Sequence, residues 1–243
     1  MTLFMNWIRN KGTYYLLLLL LFCCNIATAQ LSDNDMVAFI PTATQHVSLY
    51  WKDDKGNILG SLMRLKQYTE SKKQPLVFAM NGGMYTEERM PQGLFIQSGK
   101  VIEKLNSGNG YGNFYLKPNG IFYITSNGKG NVCQSADFRI RKNMSFATQS
   151  GPMLIINGKI HEAFKAGSAN VNIRNGVGIL PDGKMLFVMS KKEVNLYDFA
   201  AYFKKKGCVN ALYLDGFVSR SYYPAIGWLQ TDGNFGVMIG VTE

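Results

Sequence analysis

An acidic side chain follows an apolar run close to the carboxyl end of the chain. The residues Ala-Leu-Tyr-Leu at 211–214 suit a buried strand, and they lead directly into Asp215 and Gly216. One interpretation is that this aspartate ends the strand and accepts hydrogen bonds from the amides of its own loop. The other is that Asp215 is a reactive carboxylate at the mouth of a pocket. The residue types alone leave both interpretations open.

Three further polar stretches share this arrangement, in which a polar side chain lies beside glycine at the edge of an apolar run. Glycine lets backbone amides approach a ligand closely, and loops on a rigid scaffold often carry function. Each stretch taken singly is typical of a turn, but together they could line a pocket for a polar ligand. The stretches are Phe-Ala-Met-Asn-Gly-Gly-Met-Tyr at 78–85, Ala-Thr-Gln-Ser-Gly-Pro-Met-Leu-Ile at 147–155 and Asn-Ile-Arg-Asn-Gly-Val-Gly-Ile-Leu at 172–180.

The first thirty residues have the features of a secretory signal peptide. Arg9 and Lys11 precede an apolar run, which ends in the small-x-small pattern Ala27-Thr28-Ala29. The sequence therefore predicts a signal peptide over residues 1–29 and an exported mature protein, periplasmic or extracellular. An uncleaved N-terminal anchor is the alternative, but the apolar run is short for a membrane span. Cleavage is therefore expected, and no stable membrane span remains after it.

The charge narrows the classes of partner, and the cysteines allow one disulfide. Removal of the two basic residues of the leader lowers the formal net charge from +10 to +8, which favours anionic partners, although a solvated basic face would have the same composition. Nucleic acid is not predicted as a partner, because core packing accounts for most of the aromatic residues and export argues against it. Cys133 and Cys208 remain after cleavage and could form one disulfide in an exported protein. The sequence leaves that pairing open.

Several common kinds of catalytic site have no matching motif. The chain has two histidines, His46 and His161, and neither has a second histidine or a cysteine at metal-ligand spacing, so a zinc site is not predicted. Because His161 follows an Asn-Gly turn, it is predicted to be a surface residue of a hairpin. No phosphate loop or Gly-x-Ser-x-Gly elbow occurs, and the glycine-rich run at 108–114 lacks the spacing of a dinucleotide fingerprint.

Short apolar runs dominate the chain and predict an α+β fold, a single domain with a largely antiparallel β-sheet and a few packed helices. Three pairs of runs are separated by the tight-turn sequences Asn157-Gly158, Pro118-Asn119-Gly120 and Pro181-Asp182-Gly183. Such turns between apolar runs are a strong signal for β-hairpins. The predicted strands lie at 36–40, 46–51, 75–80, 93–97, 113–117, 121–125, 152–156, 176–180, 184–189, 211–214 and 235–241.

Two segments have a helical pattern instead. In the clearer one, Asn195 or Ser190 is the predicted N-cap, and Gly207 lies just past the predicted end. A second, shorter helix is predicted near 62–73. The clearer helix has an apolar stripe at i, i+3, i+4 and i+7, formed by Leu196, Phe199, Ala200 and Phe203.

The order of the four polar stretches is more specific than any one of them. Asn-Gly-Gly-Met-Tyr, Ser-Gly-Pro-Met, Arg-x-x-x-Gly and Leu-Asp-Gly-x-x-Ser follow one another within roughly residues 76–241. In this order the chain resembles the phosphodiester glycosidase family, which includes the lysosomal uncovering enzyme and short bacterial exported proteins often labelled as exopolysaccharide-biosynthesis related. Phe217 and Val218 stand where the animal enzymes usually have glycine, a departure that concerns the substrate more than the fold.

The resemblance implies a domain over residues 30–243 that hydrolyses a sugar-1-phosphodiester linkage in a glycan or envelope polymer, freeing the sugar and leaving a phosphomonoester. It makes Asp215 the catalytic carboxylate, as nucleophile, base or oxocarbenium stabiliser, and Arg174 the clamp on the phosphate. Glu87 or Glu88 could supply a second carboxylate, but a solvated loop explains both better. The residues implied to bind the substrate are Asn81, Gly82, Gly83, Thr148, Ser150, Gly151, Asn175, Gly216 and Ser219.

A phosphodiester leaves as a stable anion, so one carboxylate and an anion clamp could replace the usual pair of carboxylates. No cofactor is predicted with certainty, and a divalent cation held by Asp215 stays open. The expected partner is a sugar phosphate or a glycan, whereas the oligomeric state is not specified. Two other hypotheses remain, a non-catalytic glycan- or exopolysaccharide-binding protein with the same pocket, and a structural envelope protein whose motif residues merely cap strands.

Overall fold

Sixteen short strands and two α-helices make up the part of the chain that the computed structural model describes, residues 31–243. The predicted signal peptide at 1–29 lies outside these residues. Every strand pair is antiparallel, so the prediction of an α+β domain with a largely antiparallel sheet is confirmed. The strands are β1 (Met36–Phe39), β2 (His46–Tyr50), β3 (Leu76–Asn81), β4 (Phe95–Gln97), β5 (Lys100–Glu103), β6 (Gly120–Thr125), β7 (Gly130–Gln134), β8 (Met144–Ser150), β9 (Met153–Ile156), β10 (Lys159–Ile160), β11 (Asn175–Ile179), β12 (Met185–Ser190), β13 (Asn210–Asp215), β14 (Ser221–Tyr223), β15 (Trp228–Leu229) and β16 (Met238–Thr242).

These strands are arranged in three sheets. The first sheet has the order β1-β12-β11-β13-β9-β10, the second β15-β14-β3-β16-β2, and the third β5-β4-β8-β6-β7. Two of the predicted hairpins are confirmed, since Asn157-Gly158 joins β9 to β10 and Pro181-Asp182-Gly183 joins β11 to β12.

The three sheets share one apolar core. Phe187 of the first sheet lies between Phe78 of the second and Phe122 of the third, with ring centroids 5.9 and 5.8 Å away. All three rings are fully buried. Because burial of aromatic surface is the main source of stabilisation in such a core, these contacts fix the sheets against one another.

Each helix covers the outer face of a sheet. Helix α1 (Leu62–Ser71) packs on the second sheet, and the Ser61 hydroxyl accepts a hydrogen bond from the Arg64 amide at its start. Helix α2 (Leu196–Lys205) packs on the first sheet through the predicted apolar stripe. The N-cap of α2 is Asn195, whose side chain accepts from the Asp198 amide. Within residues 31–243, no helix is long and apolar enough to cross a membrane.

One predicted strand and its hairpin are wrong. Residues Asn113–Tyr115 form a short 3₁₀ helix that buries Phe114, and the Asn119 side-chain amide donates to the Phe114 carbonyl at 3.0 Å. This cap turns the chain before Pro118-Asn119-Gly120, so β6 pairs with β7 and β8 instead of with the preceding run. The apolar residues at 113–117 anchor a turn and do not alternate across a strand.

Candidate active site

Polar residues at four strand ends lie together where the three sheets meet. Asp215 ends β13 and pairs with Asn175, the first residue of β11. Asn81 ends β3 in the second sheet, and Ser150 ends β8 in the third. The Ser150 hydroxyl donates to the Leu214 carbonyl at 2.7 Å, which ties the third sheet to the strand that carries the aspartate.

A buried amide network joins these ends. The Asn175 side-chain nitrogen donates to the Asn81 carbonyl at 2.8 Å and to Asn81 Oδ1 at 2.9 Å. The Asp215 amide donates to Asn175 Oδ1 at 2.8 Å, and Asn81 Nδ2 donates to Asp215 Oδ2 at 3.3 Å. Both asparagines are fully buried, so their side chains are held in one orientation.

The Asp215 carboxylate is 9% exposed and has a defined set of donors. Its Oδ1 accepts hydrogen bonds from the amides of Gly216 at 2.7 Å and Phe217 at 3.3 Å. The backbone carbonyl of Asp215 accepts from the Ser219 hydroxyl at 3.0 Å, which closes the loop. Burial raises the pKa of Asp215, and the hydrogen bonds from Gly216, Phe217 and Asn81 only partly oppose that rise. The aspartate therefore bonds its own loop and also stands in a polar site.

Only glycine fits at position 216, because the Tyr213 side chain packs closely against the loop from beneath. A Cβ atom at this position would lie 1.4 Å from the Tyr213 hydroxyl oxygen and 3.3 Å from Arg174 Nη1. The Tyr213 hydroxyl accepts from Arg174 Nη1 at 2.9 Å. As for Asp215, burial is the main cause of a raised pKa at Tyr213, here to about 12. The phenol therefore keeps its proton at neutral pH.

Arg174 is fully buried directly behind this loop. Its Nε donates to the Val194 carbonyl at 2.6 Å, and its Nη2 donates to the carbonyl and Oδ1 of Asn170 at 2.8 and 3.0 Å. Together with the bond to Tyr213, these occupy four of the five guanidinium hydrogens and leave one on Nη1. In the described part of the chain, no carboxylate lies within ion-pair distance of Arg174. A buried positive charge thus stands beside Gly216 without a counter-ion from these residues.

The other predicted glycines pack against the backbone and side chains of the same region. A Cβ on Gly83 would lie 2.5 Å from Thr148 Oγ1, so Thr148 approaches the first motif directly. A Cβ on Gly151 would lie 2.6 Å from Asn119 Cβ. The Gly82 amide donates to the Val237 carbonyl at 2.8 Å, so this amide serves the sheet and is not directed at a ligand.

Two glutamates and one histidine are the remaining side chains that sequence analysis considered for acid or base roles. Glu87 and Glu88 are exposed, as expected for a solvated loop. His161 was expected at the surface of a hairpin, and that prediction is wrong because the imidazole is 5% exposed and stacks on Phe164 at 4.8 Å. Its Nε2 lies 3.2 Å from the Lys117 carbonyl, and its Nδ1 accepts from the Ala163 amide, so burial is compensated by bonds to the backbone.

Sequence reasoning missed two tyrosines of the site. Tyr213 was assigned to the core alone, and Tyr85 was treated only as part of the first motif. Burial, and then the negative charge of Asp215, raises the pKa of Tyr85 to about 12. Tyr85 lies four residues after Asn81, and Tyr213 lies two residues before Asp215. This closeness in sequence to the site residues is the signal that could have indicated both tyrosines.

The described residues form no metal site beside Asp215, and a large cavity lies elsewhere in the fold. Among residues 31–243, no group of three or more His, Cys, Asp or Glu side chains is placed to hold a metal ion. A cavity of about 790 Å³ is lined by His46, Thr125 and Lys129 among others. Thr125 is five residues along β6 from Gly120, the partner of Ser150, and five residues of strand span about 17 Å. The cavity is therefore separate from the site at Asp215.

Residues 74–240 match the family described as phosphodiester glycosidase. This range runs from β3 to β16 and contains every residue of the site. The chain belongs to the phosphodiester glycosidase family. The family resemblance inferred from the four ordered motifs is therefore confirmed.

Two relatives are similar to this chain over most of its length. It is 40% identical over 219 residues to uncharacterized protein YigE of Escherichia coli (strain K12), an alignment that covers 88% of this chain and 85% of that protein. It also superposes on the catalytic domain of zebrafish N-acetylglucosamine-1-phosphodiester alpha-N-acetylglucosaminidase with a TM-score of 0.55, 15% identity and 91% coverage of each chain. At that identity the superposition shows a shared fold.

Proposed function

We propose that this protein is an exported enzyme that hydrolyses a sugar-1-phosphodiester linkage in a glycan or envelope polymer. In this reaction the bond between the anomeric carbon and the phosphate oxygen breaks, and a water oxygen becomes bonded to that carbon. The products are the free sugar and a phosphomonoester. Family membership and the single buried carboxylate at the meeting point of three sheets support the proposal, and the predicted signal peptide supports export.

The observation that carries the proposal is the uneven bonding of the Asp215 carboxylate. Oδ1 takes two backbone hydrogen bonds, while Oδ2 takes one, from Asn81 at 3.3 Å. Oδ2 is thus the oxygen with remaining lone-pair capacity for a substrate or a developing positive charge. As nucleophile, base or stabiliser of an oxocarbenium ion, it would act in the ionised form. The fixed amides around Oδ1 keep the carboxylate oriented without a second carboxylate.

The buried charge of Arg174 would attract the phosphate, and the neighbouring polar groups would keep the carboxylate in position. The unpaired charge of Arg174 and its remaining Nη1 hydrogen favour an anion beside Gly216. The buried hydroxyls of Ser150 and Ser219 donate to backbone carbonyls, which fixes the end of β13 and the loop that follows it. Because a phosphodiester leaves as a stable anion, the reaction needs little acid assistance at the leaving oxygen.

The test is release of sugar from a panel of UDP-sugars and p-nitrophenyl sugar-1-phosphates by the purified protein. The matched variants are Asp215→Asn, which is isosteric and uncharged, and Asp182→Asn, which removes an exposed carboxylate on the β11–β12 turn. We expect the wild type and Asp182→Asn to release sugar at equal rates. Asp215→Asn should lose turnover by at least about a hundredfold, a loss typical of a removed catalytic group.

Equal activity of Asp215→Asn and wild type would remove Asp215 from the mechanism. Bound sugar phosphate in a thermal-shift measurement, with no turnover by any of the three proteins, would instead support a glycan-binding protein with the same pocket.

A further inference from the structure

Phe217 is an exposed aromatic residue at the rim of the site. Its side chain is 92% exposed, although phenylalanine is usually buried. Its amide nitrogen is 3.3 Å from Asp215 Oδ1. Because the N–Cα bond adds about 1.5 Å, the Cα atom of Phe217 lies within about 5 Å of the carboxylate oxygen. The phenyl ring is therefore attached close to the Asp215 carboxyl group, and its exposure leaves its faces free for a ligand.

The loop around Phe217 is fixed from within. Tyr213 fills the space under Gly216, and the Ser219 hydroxyl bonds to the Asp215 carbonyl. Val218 packs against the apolar cluster that covers the second sheet. Phe217 is the one residue of this loop that the fold directs into solvent, so it forgoes the stabilisation that burial of its ring would give. Isolated exposed apolar residues are common at surfaces, but the backbone amide of this one donates a hydrogen bond to the proposed reactive carboxylate.

We propose that Phe217 is a specificity-determining residue whose ring forms an apolar platform for the pyranose ring of the substrate. A pyranose has a face of C–H groups that matches the flat face of an aromatic ring, and ligand sites combine such aromatic surfaces with a few fixed polar groups. The Asp215 carboxylate, oriented by the buried Asn81, supplies the polar group, and Phe217 supplies the apolar face. This inference rests on the proposed function, because it places the anomeric carbon at Asp215.

The test compares side chains of different shape at position 217. Phe217→Ala removes the platform, Phe217→Leu keeps apolar volume without a flat face, and Phe217→Trp enlarges the face. Ile140→Ala is the matched control, since Ile140 is an exposed apolar residue (57%) between β7 and β8. Each change is measured in the purified protein as the KM and kcat of the best diester of the panel. Affinity for UDP-N-acetylglucosamine is measured by calorimetry in an Asp215→Asn background, which removes turnover.

We expect Phe217→Ala to raise KM and the dissociation constant about tenfold, with Phe217→Leu between it and the wild type and Phe217→Trp close to the wild type. The Ile140→Ala control should match its parent in both measurements. Equal affinity of Phe217→Ala and its parent, or of Phe217→Leu and Phe217→Trp, would overturn the inference, as would failure of the Asp215→Asn protein to bind the nucleotide sugar. The proposed function is judged separately, by sugar release from the wild type.

Discussion

Asp215 links the stability of the folded protein to pH through its buried carboxyl. Its pKa is raised above the ordinary value of 3.8, mainly by burial. At pH values between the ordinary pKa of 3.8 in the unfolded chain and the raised pKa in the folded protein, only the folded protein keeps this proton. The contribution of Asp215 to the unfolding free energy therefore falls as pH rises. Asp215→Asn has no such titration. We expect the unfolding free energy of the wild type, minus that of Asp215→Asn, to fall as pH rises from about 3 to about 7.

Urea unfolding of the two proteins at stepped pH measures this difference directly. Asp182→Asn serves as the control of opposite sign, because hydrogen bonds with Lys184 lower the pKa of that exposed carboxyl. A difference for Asp215 that stayed constant or rose with pH would contradict the burial of a proton-holding carboxylate at this position.

At the residue scale, the sequence predicted those site residues that can be recognised from their residue type and their motif. Asp215, Asn81 and Ser150 were identified because each interrupts an apolar run beside glycine. Tyr213 was not, since a tyrosine in an apolar strand is usually a core residue, and its role depends on a contact with Arg174 across 39 positions. Of the other guanidinium contacts, the one to Val194 spans 20 positions, whereas Asn170 lies only four positions before Arg174.

At the element scale, Asn175 joins strands of two sheets. Its side chain binds the end of β3 through Asn81 and the end of β13 through the Asp215 amide. Asn175→Ala would leave the Asn81 carbonyl and the Asp215 amide without these partners in a buried site. Each unsatisfied buried group costs about 1–3 kcal/mol, so we expect the unfolding free energy to fall by more than about 2 kcal/mol.

Urea denaturation checks this loss, and Asn131→Ala on β7 is the matched control, since Asn131 is partly exposed and makes one long bond at 3.4 Å. We expect the control to stay within about 0.5 kcal/mol of the wild type. If Asn175→Ala were no less stable than the control, the network would not hold the strand ends together.

The elements themselves were predictable to different degrees. Helix α2 was predicted because its four apolar residues follow the helical period and Asn195 caps it. Strand β8 was not included among the predicted strands, because Thr148, Gln149 and Ser150 make its end polar, yet all three are buried. The Gln149 side chain accepts from the amides of Leu94 and Asn106, so its burial serves a loop that no local pattern reveals.

At the scale of the whole molecule, the site exists only because three sheets meet. The four motifs are spread over more than a hundred residues, and their order along the chain does not determine which strand ends become neighbours. That arrangement is set by the shared core, in which Phe78, Phe187 and Phe122 contact one another across sheets. Local patterns predicted the antiparallel class of the fold, whereas long-range packing decided the geometry of the site.

The same core holds the sheets together without a covalent link between Cys133 and Cys208. Cys133 lies on β7 in the third sheet, Cys208 follows α2 beside the first sheet, and both thiols are free. Burial raises the pKa of Cys133 to about 11 and that of Cys208 to about 12, which suppresses the reactive thiolate at neutral pH.

We expect the melting temperature of the mature protein to be unchanged by a reducing agent, because no disulfide constrains the unfolded chain. A thiol reagent should label the buried Cys208 only after denaturation and the partly exposed Cys133 slowly before it, with Cys133→Ser reduced to one label. A lower melting temperature after reduction would show a bond between them, since loss of a native disulfide typically removes about 2–5 kcal/mol.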